Sequence, residues 1–150
     1  MPSHATNRAT RQDWRDLGFF YDRDDWAKVW RLTGSRAGLL RFRDSLLEYA
    51  ADPINATQSE HEHYGPYMYL KVMTWPEAGF DEHAIRGTPS DLGRLARIIE
   101  VNVAAAQPGS TISIRDEFSS ASPYTLVLEM REDGFDPASA DPALPQEAAG

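Results

Sequence analysis

With 150 residues, 41% of them apolar and 11% aromatic, the chain is large and apolar enough for one self-sufficient core burying roughly 70% of its unfolded surface, which sets it apart from disordered chains, and no apolar run approaches the ~20 residues of a membrane span. It has no cysteine, which removes disulfide scaffolds, thiolate metal clusters and cysteine nucleophiles and suits a reducing, cytoplasmic location. Its formal net charge of -8 argues against nucleic acid as the main partner, because phosphate binding needs clustered Lys and Arg.

Residues 1–13 are polar, lack the apolar core of a signal peptide and read as a flexible arm ahead of a single domain over 14–133; residues 134–150, rich in Pro, Ala and Asp, read as a flexible tail. The first aromatic, β-branched runs, Leu17–Tyr21 and Trp26–Thr33, flank the polar turn Asp22-Arg-Asp-Asp25 and predict a hairpin. On that reading Trp26 and Trp30 share a core-facing strand side, while Trp14 is placed to pin the arm to the sheet. Ser35 is a good N-cap, and Leu39, Phe42, Leu46 and Ala50 recur at helical spacing until Asp52-Pro53.

A second hairpin is expected from Tyr67–Trp75, a turn at Pro76–Gly79 and a short strand near Glu82–Gly87. The next helix has agreeing start and stop signals: a Thr88 cap, Pro89 in the first position, Asp91 in the first turn, the stripe Leu92, Leu95, Ile99, Val103, then Pro108-Gly109. A third hairpin follows over Thr111–Phe118 and Tyr124–Glu132, whose alternation gives Ile112, Ile114, Leu126, Leu128 and Met130 one face. The acidity is concentrated late, with 9 Lys/Arg against 7 Asp/Glu in residues 1–50 but 6 against 16 in residues 51–150.

The order ββα-ββα-ββ predicts an α+β fold of two layers, a mainly antiparallel sheet of about six strands with both helices on one face. The other face is then open, and alternation turns Tyr67, Tyr69, Lys71, Met73 and Trp75 towards it, beside Glu129. Such a surface either binds a protein, since Tyr and Trp dominate interface energetics, or is covered by the arm, the tail or a second copy.

Catalytic signatures are sparse. Glu60-His-Glu-His63 is the densest cluster of metal-type residues; in an extended segment His61 and His63 share a side, and with His83 they would offer three histidine ligands and an open fourth position. The plainer reading is a polar loop, with no resident cofactor. There is no Gly-x-Ser-x-Gly elbow, the glycines at 34–38 and 87–90 lack phosphate-loop spacing, and the paired carboxylates look like solvated turns.

The stretches Ser35-Arg-Ala-Gly-Leu-Leu-Arg-Phe-Arg-Asp-Ser-Leu-Leu-Glu-Tyr-Ala50 and Ser59-Glu-His-Glu-His-Tyr-Gly-Pro-Tyr-Met-Tyr-Leu-Lys-Val-Met-Thr-Trp75, with the size, acidity and layout of residues 14–135, resemble small bacterial immunity proteins of polymorphic toxin systems. The resemblance implies a non-enzymatic cytoplasmic protein that binds and neutralises a basic toxin domain. The residues it would use on this reading are Tyr67, Tyr69 and Trp75, with Asp116, Glu117 and Glu129 as electrostatic help. A metal-dependent enzyme centred on His61, His63 and His83 and a homodimer pairing its open sheet face are the rival readings.

Overall fold

The computed structural model describes residues 3–145. The fold is α+β, built from helices α1 (His4–Leu17), α2 (Arg36–Ala51) and α3 (Pro89–Ala105) and strands β1 (Phe20–Asp24), β2 (Val29–Ser35), β3 (His61–Tyr64), β4 (Leu70–Thr74), β5 (Gly79–Phe80), β6 (Ile85–Gly87), β7 (Thr111–Ile114) and β8 (Thr125–Arg131). Instead of one six-stranded sheet, the strands form two four-stranded mixed sheets, ordered β1-β2-β8-β7 and β3-β4-β6-β5. Each consists of two antiparallel pairs joined by a central parallel pair, β2 with β8 and β4 with β6. Apolar alternation specifies which face of a strand is buried, not which strand lies beside it, so the parallel pairings left no trace in the pattern. The two extra strands were equally hidden: β3 carries polar, largely exposed residues, and β5 is two residues long.

Where the periodicity is strong the chain obeys it. Ser35 Oγ accepts the Gly38 amide at 3.1 Å and starts α2, whose Leu39, Phe42 and Leu46 are buried together with Tyr49. Thr88 and Asp91 form a reciprocal capping box at the start of α3, and Leu92, Leu95, Ile99 and Val103 are all fully buried. The two helices pack on one another, with α2 also against β2 and β8 and α3 against β6. One continuous core results, joining Trp30, Leu32, Leu126, Leu128 and Met130 of the first sheet to Leu70, Val72, Phe80 and Ile85 of the second. Tyr124 N–H donates to Phe80 O (2.9 Å) and Trp30 Nε1–H to Asp81 O (2.7 Å), tying the sheets at one end.

Both chain ends are more structured than their composition suggests. The expected arm is α1, capped by Ser3 and closed by Gly18 at φ 96, and its few apolar residues hide a helix with one buried anchor, Trp14. Part of the expected tail forms a 3₁₀ turn, Pro137–Ala140, packed on α1, β1 and β2. Thr33 and Ala138 are buried where this strap crosses the sheet. Part of the outward face of the first sheet is therefore covered by the chain's own ends. Residues 146–150 of the tail lie outside the described residues.

The first hairpin is shifted by three residues: Leu17 belongs to α1, and the turn is Asp25–Lys28 rather than Asp22–Asp25. Asp24 Oδ1 accepts the Ala27 amide at 2.9 Å and Lys28 adopts φ 58. Trp30 is wholly buried as expected, but Trp26 sits on the turn at 97% exposure instead of facing the core. Among the described residues no helix is long and apolar enough to cross a membrane.

Candidate functional site

Trp14 leaves the last turn of α1 and packs against the rings of Phe20 (4.8 Å between centroids), Tyr21 (5.0 Å) and Tyr67 (5.9 Å), and Tyr67 lies 6.2 Å from Tyr69. The Trp14 indole N–H donates to Asp141 Oδ2 at 2.9 Å, and the Tyr67 hydroxyl donates to the same oxygen at 2.6 Å. Asp141 is buried, so this carboxylate is desolvated and held by the two donors it joins. Arg15 grips Asp136 through two contacts of 2.9 and 3.1 Å, fixing the strap to α1.

The segment before β4 is shaped around Tyr21. Gly65 has φ 83, and a Cβ there would meet the Tyr21 ring at 2.5 Å, so glycine is required on both counts. The Tyr21 hydroxyl donates to Tyr64 O (2.6 Å) and accepts from the Tyr69 amide (3.2 Å). Met68 is also held at positive φ, 63°. These constraints push Tyr67, Met68 and Tyr69 outward, with exposures of 39%, 55% and 66%.

The result is a groove of about 420 Å³ along β1, lined by the five rings, by Asp22 and Arg23, and by Asp141-Pro142. Burial pushes the phenol pKa of Tyr67 well above its ordinary value, with Asp141 adding to the shift, and burial likewise raises Tyr21; both remain neutral hydroxyls at physiological pH. Burial also raises the Asp22 carboxyl, Arg31 counters it, and Asp24 and Glu129 add repulsion. Arg31 is shared, 3.5 Å from Asp22 and 3.4 Å from Glu129.

The residues singled out from the sequence are only partly brought together. Tyr67 and Tyr69 line the groove, and Glu129 connects to it through Arg31 and Asp22. Trp75 lines a different hollow, with Met73, Glu77, His83 and Arg86. Asp116 and Glu117 follow β7, at the sheet edge opposite β1, and are engaged locally: Asp116 pairs with Arg115 at 2.5 Å, and Glu117 Oε1 accepts the Arg115 amide at 2.8 Å. Trp14, Phe20, Tyr21 and Asp141 complete the groove; of these the sequence signals only Trp14, as an anchor.

The histidine triad does not assemble. His61 and His63 do share a side of β3, with ring centroids 5.2 Å apart and each Nδ1 beside a backbone carbonyl, Ser59 O and Met68 O. His83 lies in the β5–β6 turn beside Glu82 at 3.3 Å, separated from β3 by β4 and β6, on the order of 10 Å at normal strand spacing. Among the described residues no group of three or more His, Cys, Asp or Glu is placed to hold a metal ion. No protein-family model, curated protein or solved structure matches the chain.

Proposed function

We propose that the protein is a binding module that docks a basic protein partner along β1 and thereby neutralises it, in the manner of an immunity protein with its toxin domain. The observation that carries the reading is the run Tyr67-Met68-Tyr69, three consecutive large side chains held outward by fixed backbone beside an aromatic groove. Exposed aromatics on a rigid support offer contact area at small entropic cost, the usual make-up of interface hot spots. Trp26, on the turn that follows β1, is a further exposed aromatic of the same hairpin. Asp22, Asp24 and Asp25 on and beside β1, with Glu129 two strands in on β8, supply negative charge here, and the overall charge of -8 would steer a basic protein towards it.

The test is capture from a host lysate with wild-type protein, with the Tyr67→Ala/Tyr69→Ala double variant and with Trp75→Ala, which lies on another face. A basic protein retained in stoichiometric amount by wild type and Trp75→Ala, released by high salt and lost with the double variant, supports the reading. Co-expression should then relieve that protein's toxicity. Equal retention by the double variant would place the interface elsewhere. A wild-type dimer that dissociates on Tyr69→Glu, measured by light scattering, would replace the heteromeric reading with self-association.

A further inference from the structure

Three of the donors that line the groove are committed inward, and the exposed Tyr69 hydroxyl alone is not. The Trp14 indole N–H and the Tyr67 hydroxyl both donate to Asp141, and the Tyr21 hydroxyl donates to Tyr64 O. Arg23 also lines the groove, but its guanidinium is engaged: it sits 5.6 Å from the centre of the Trp30 ring, donates to Glu82 O at 2.6 Å and pairs with Asp25 at 2.7 Å. The groove therefore offers an incoming group aromatic faces, carboxylate oxygen and the Tyr69 hydroxyl, with no uncommitted N–H from Trp14. Aromatic faces carry negative potential and attract cations. Asp22 stands half-exposed in the groove, with Arg31 at only 3.5 Å and divided between two carboxylates, so its charge is incompletely balanced. An anion would find a single phenol donor, that of Tyr69, and the repulsion of Asp22, whereas a planar cation would find both stacking surfaces and an acceptor.

We infer that the groove between Trp14, Tyr21, Tyr67 and Tyr69 is a receptor for a guanidinium group, and that its occupant is an arginine side chain of the basic protein partner. Arginine fits better than lysine because its flat, weakly hydrated head both stacks on rings and meets a carboxylate with two parallel N–H bonds. The volume, about 420 Å³, is within the range of sites that take small head groups. Burial and the neighbouring Asp24 and Glu129 raise the Asp22 carboxyl, a penalty that a bound cation would relieve. The identity of the occupant rests on the proposed binding role; the groove's preference for a guanidinium does not.

The two ideas separate in one titration that needs no partner. Nα-acetyl-arginine amide and its neutral isostere Nα-acetyl-citrulline amide are titrated into the full chain, following the Trp14 indole and the tyrosine ring resonances by NMR. Arginine should shift the groove resonances saturably, with citrulline binding about 5- to 30-fold more weakly, the range a desolvated cation–π contact supplies. Asp22→Asn and Tyr69→Ala should each weaken arginine severalfold while leaving the thermal midpoint near that of wild type. Equal binding of the two probes, shifts outside the groove, or no response to arginine would overturn the guanidinium site. Such failure leaves the captured partner and its loss on Tyr67→Ala/Tyr69→Ala untouched, whereas arginine binding without a captured partner keeps the site and removes its proposed occupant.

Discussion

Gly38 shows how tightly one position can be specified. It occupies the first turn of α2, where a Cβ would stand 2.1 Å from the carbonyl oxygen of Gly18, the left-handed residue that closes α1. The obstacle is backbone, fixed by a positive φ, and no side chain can swing aside to relieve it. Gly38→Ala should therefore lower stability by about 1–3 kcal/mol, the cost of overpacking, read as a lower urea midpoint with unchanged slope. Gly93 in α3 is the counter-case: a Cβ there meets no atom within 4 Å, so Gly93→Ala should raise stability by about 1 kcal/mol through helix propensity alone. Sequence makes both simply glycines inside a helix. The same blindness misplaced Trp26, an aromatic whose neighbours Asp24 and Lys28 build the turn that carries it into solvent.

Helices were legible in proportion to the apolar surface they bury. In α2 and α3 a buried stripe, a capping residue and a following stop signal agree, so the elements stand in the sequence almost to the residue. Thr88→Ala should cost about 1 kcal/mol by removing the capping-box acceptor, measured by thermal or urea unfolding. By contrast α1 buries Arg11 and Trp14 alone, and a single aromatic gives no period to read. Its docking relies on the indole–Asp141 bond, the Arg15–Asp136 pair and the strap, contacts whose partners lie more than 120 residues apart. Trp14→Ala should remove about 3–5 kcal/mol, as for a buried tryptophan, and detach α1 and the strap together. Faster hydrogen exchange confined to residues 4–17 and 136–145 would register it.

Acid sensitivity concerns the chain as a unit. Burial would push Asp81 up, but the amides of His83 and Ala84 and the Arg86 guanidinium outweigh it and hold the carboxyl below its ordinary 3.8. Arg15 does the same for Asp136. A carboxyl depressed by folding stabilises the native state above its unfolded pKa, and that contribution is lost as pH falls through the folded value. Asp22 runs the other way: its raised pKa means that ionisation opposes folding, and acidification relieves it. Arg23 and the Tyr124 hydroxyl likewise lower Asp25, but Asp81 is the most shielded of these three carboxyls and ties the β5–β6 turn to the Trp30 indole through its carbonyl. The urea midpoint should be nearly flat from neutral pH down to about 5 and fall below about 4. Asp81→Asn should lower the neutral-pH midpoint and flatten the acid limb; an unchanged acid limb would show that Asp81 does not carry it.

Read alone, the residues determined that this is an α+β protein with two capped amphipathic helices and a last hairpin with one buried face. Those properties follow from local periodicity and end signals, which are written in neighbouring residues. Pairing β2 with β8 and β4 with β6, separating His61 and His63 from His83, placing Trp75 and the Asp116-Glu117 turn away from the tyrosines, and uniting Trp14, Tyr21, Tyr67 and Asp141 all required the folded chain. Each joins positions distant in sequence through packing and through hydrogen bonds to a buried carboxylate, and such contacts leave no periodic mark on the segments that make them.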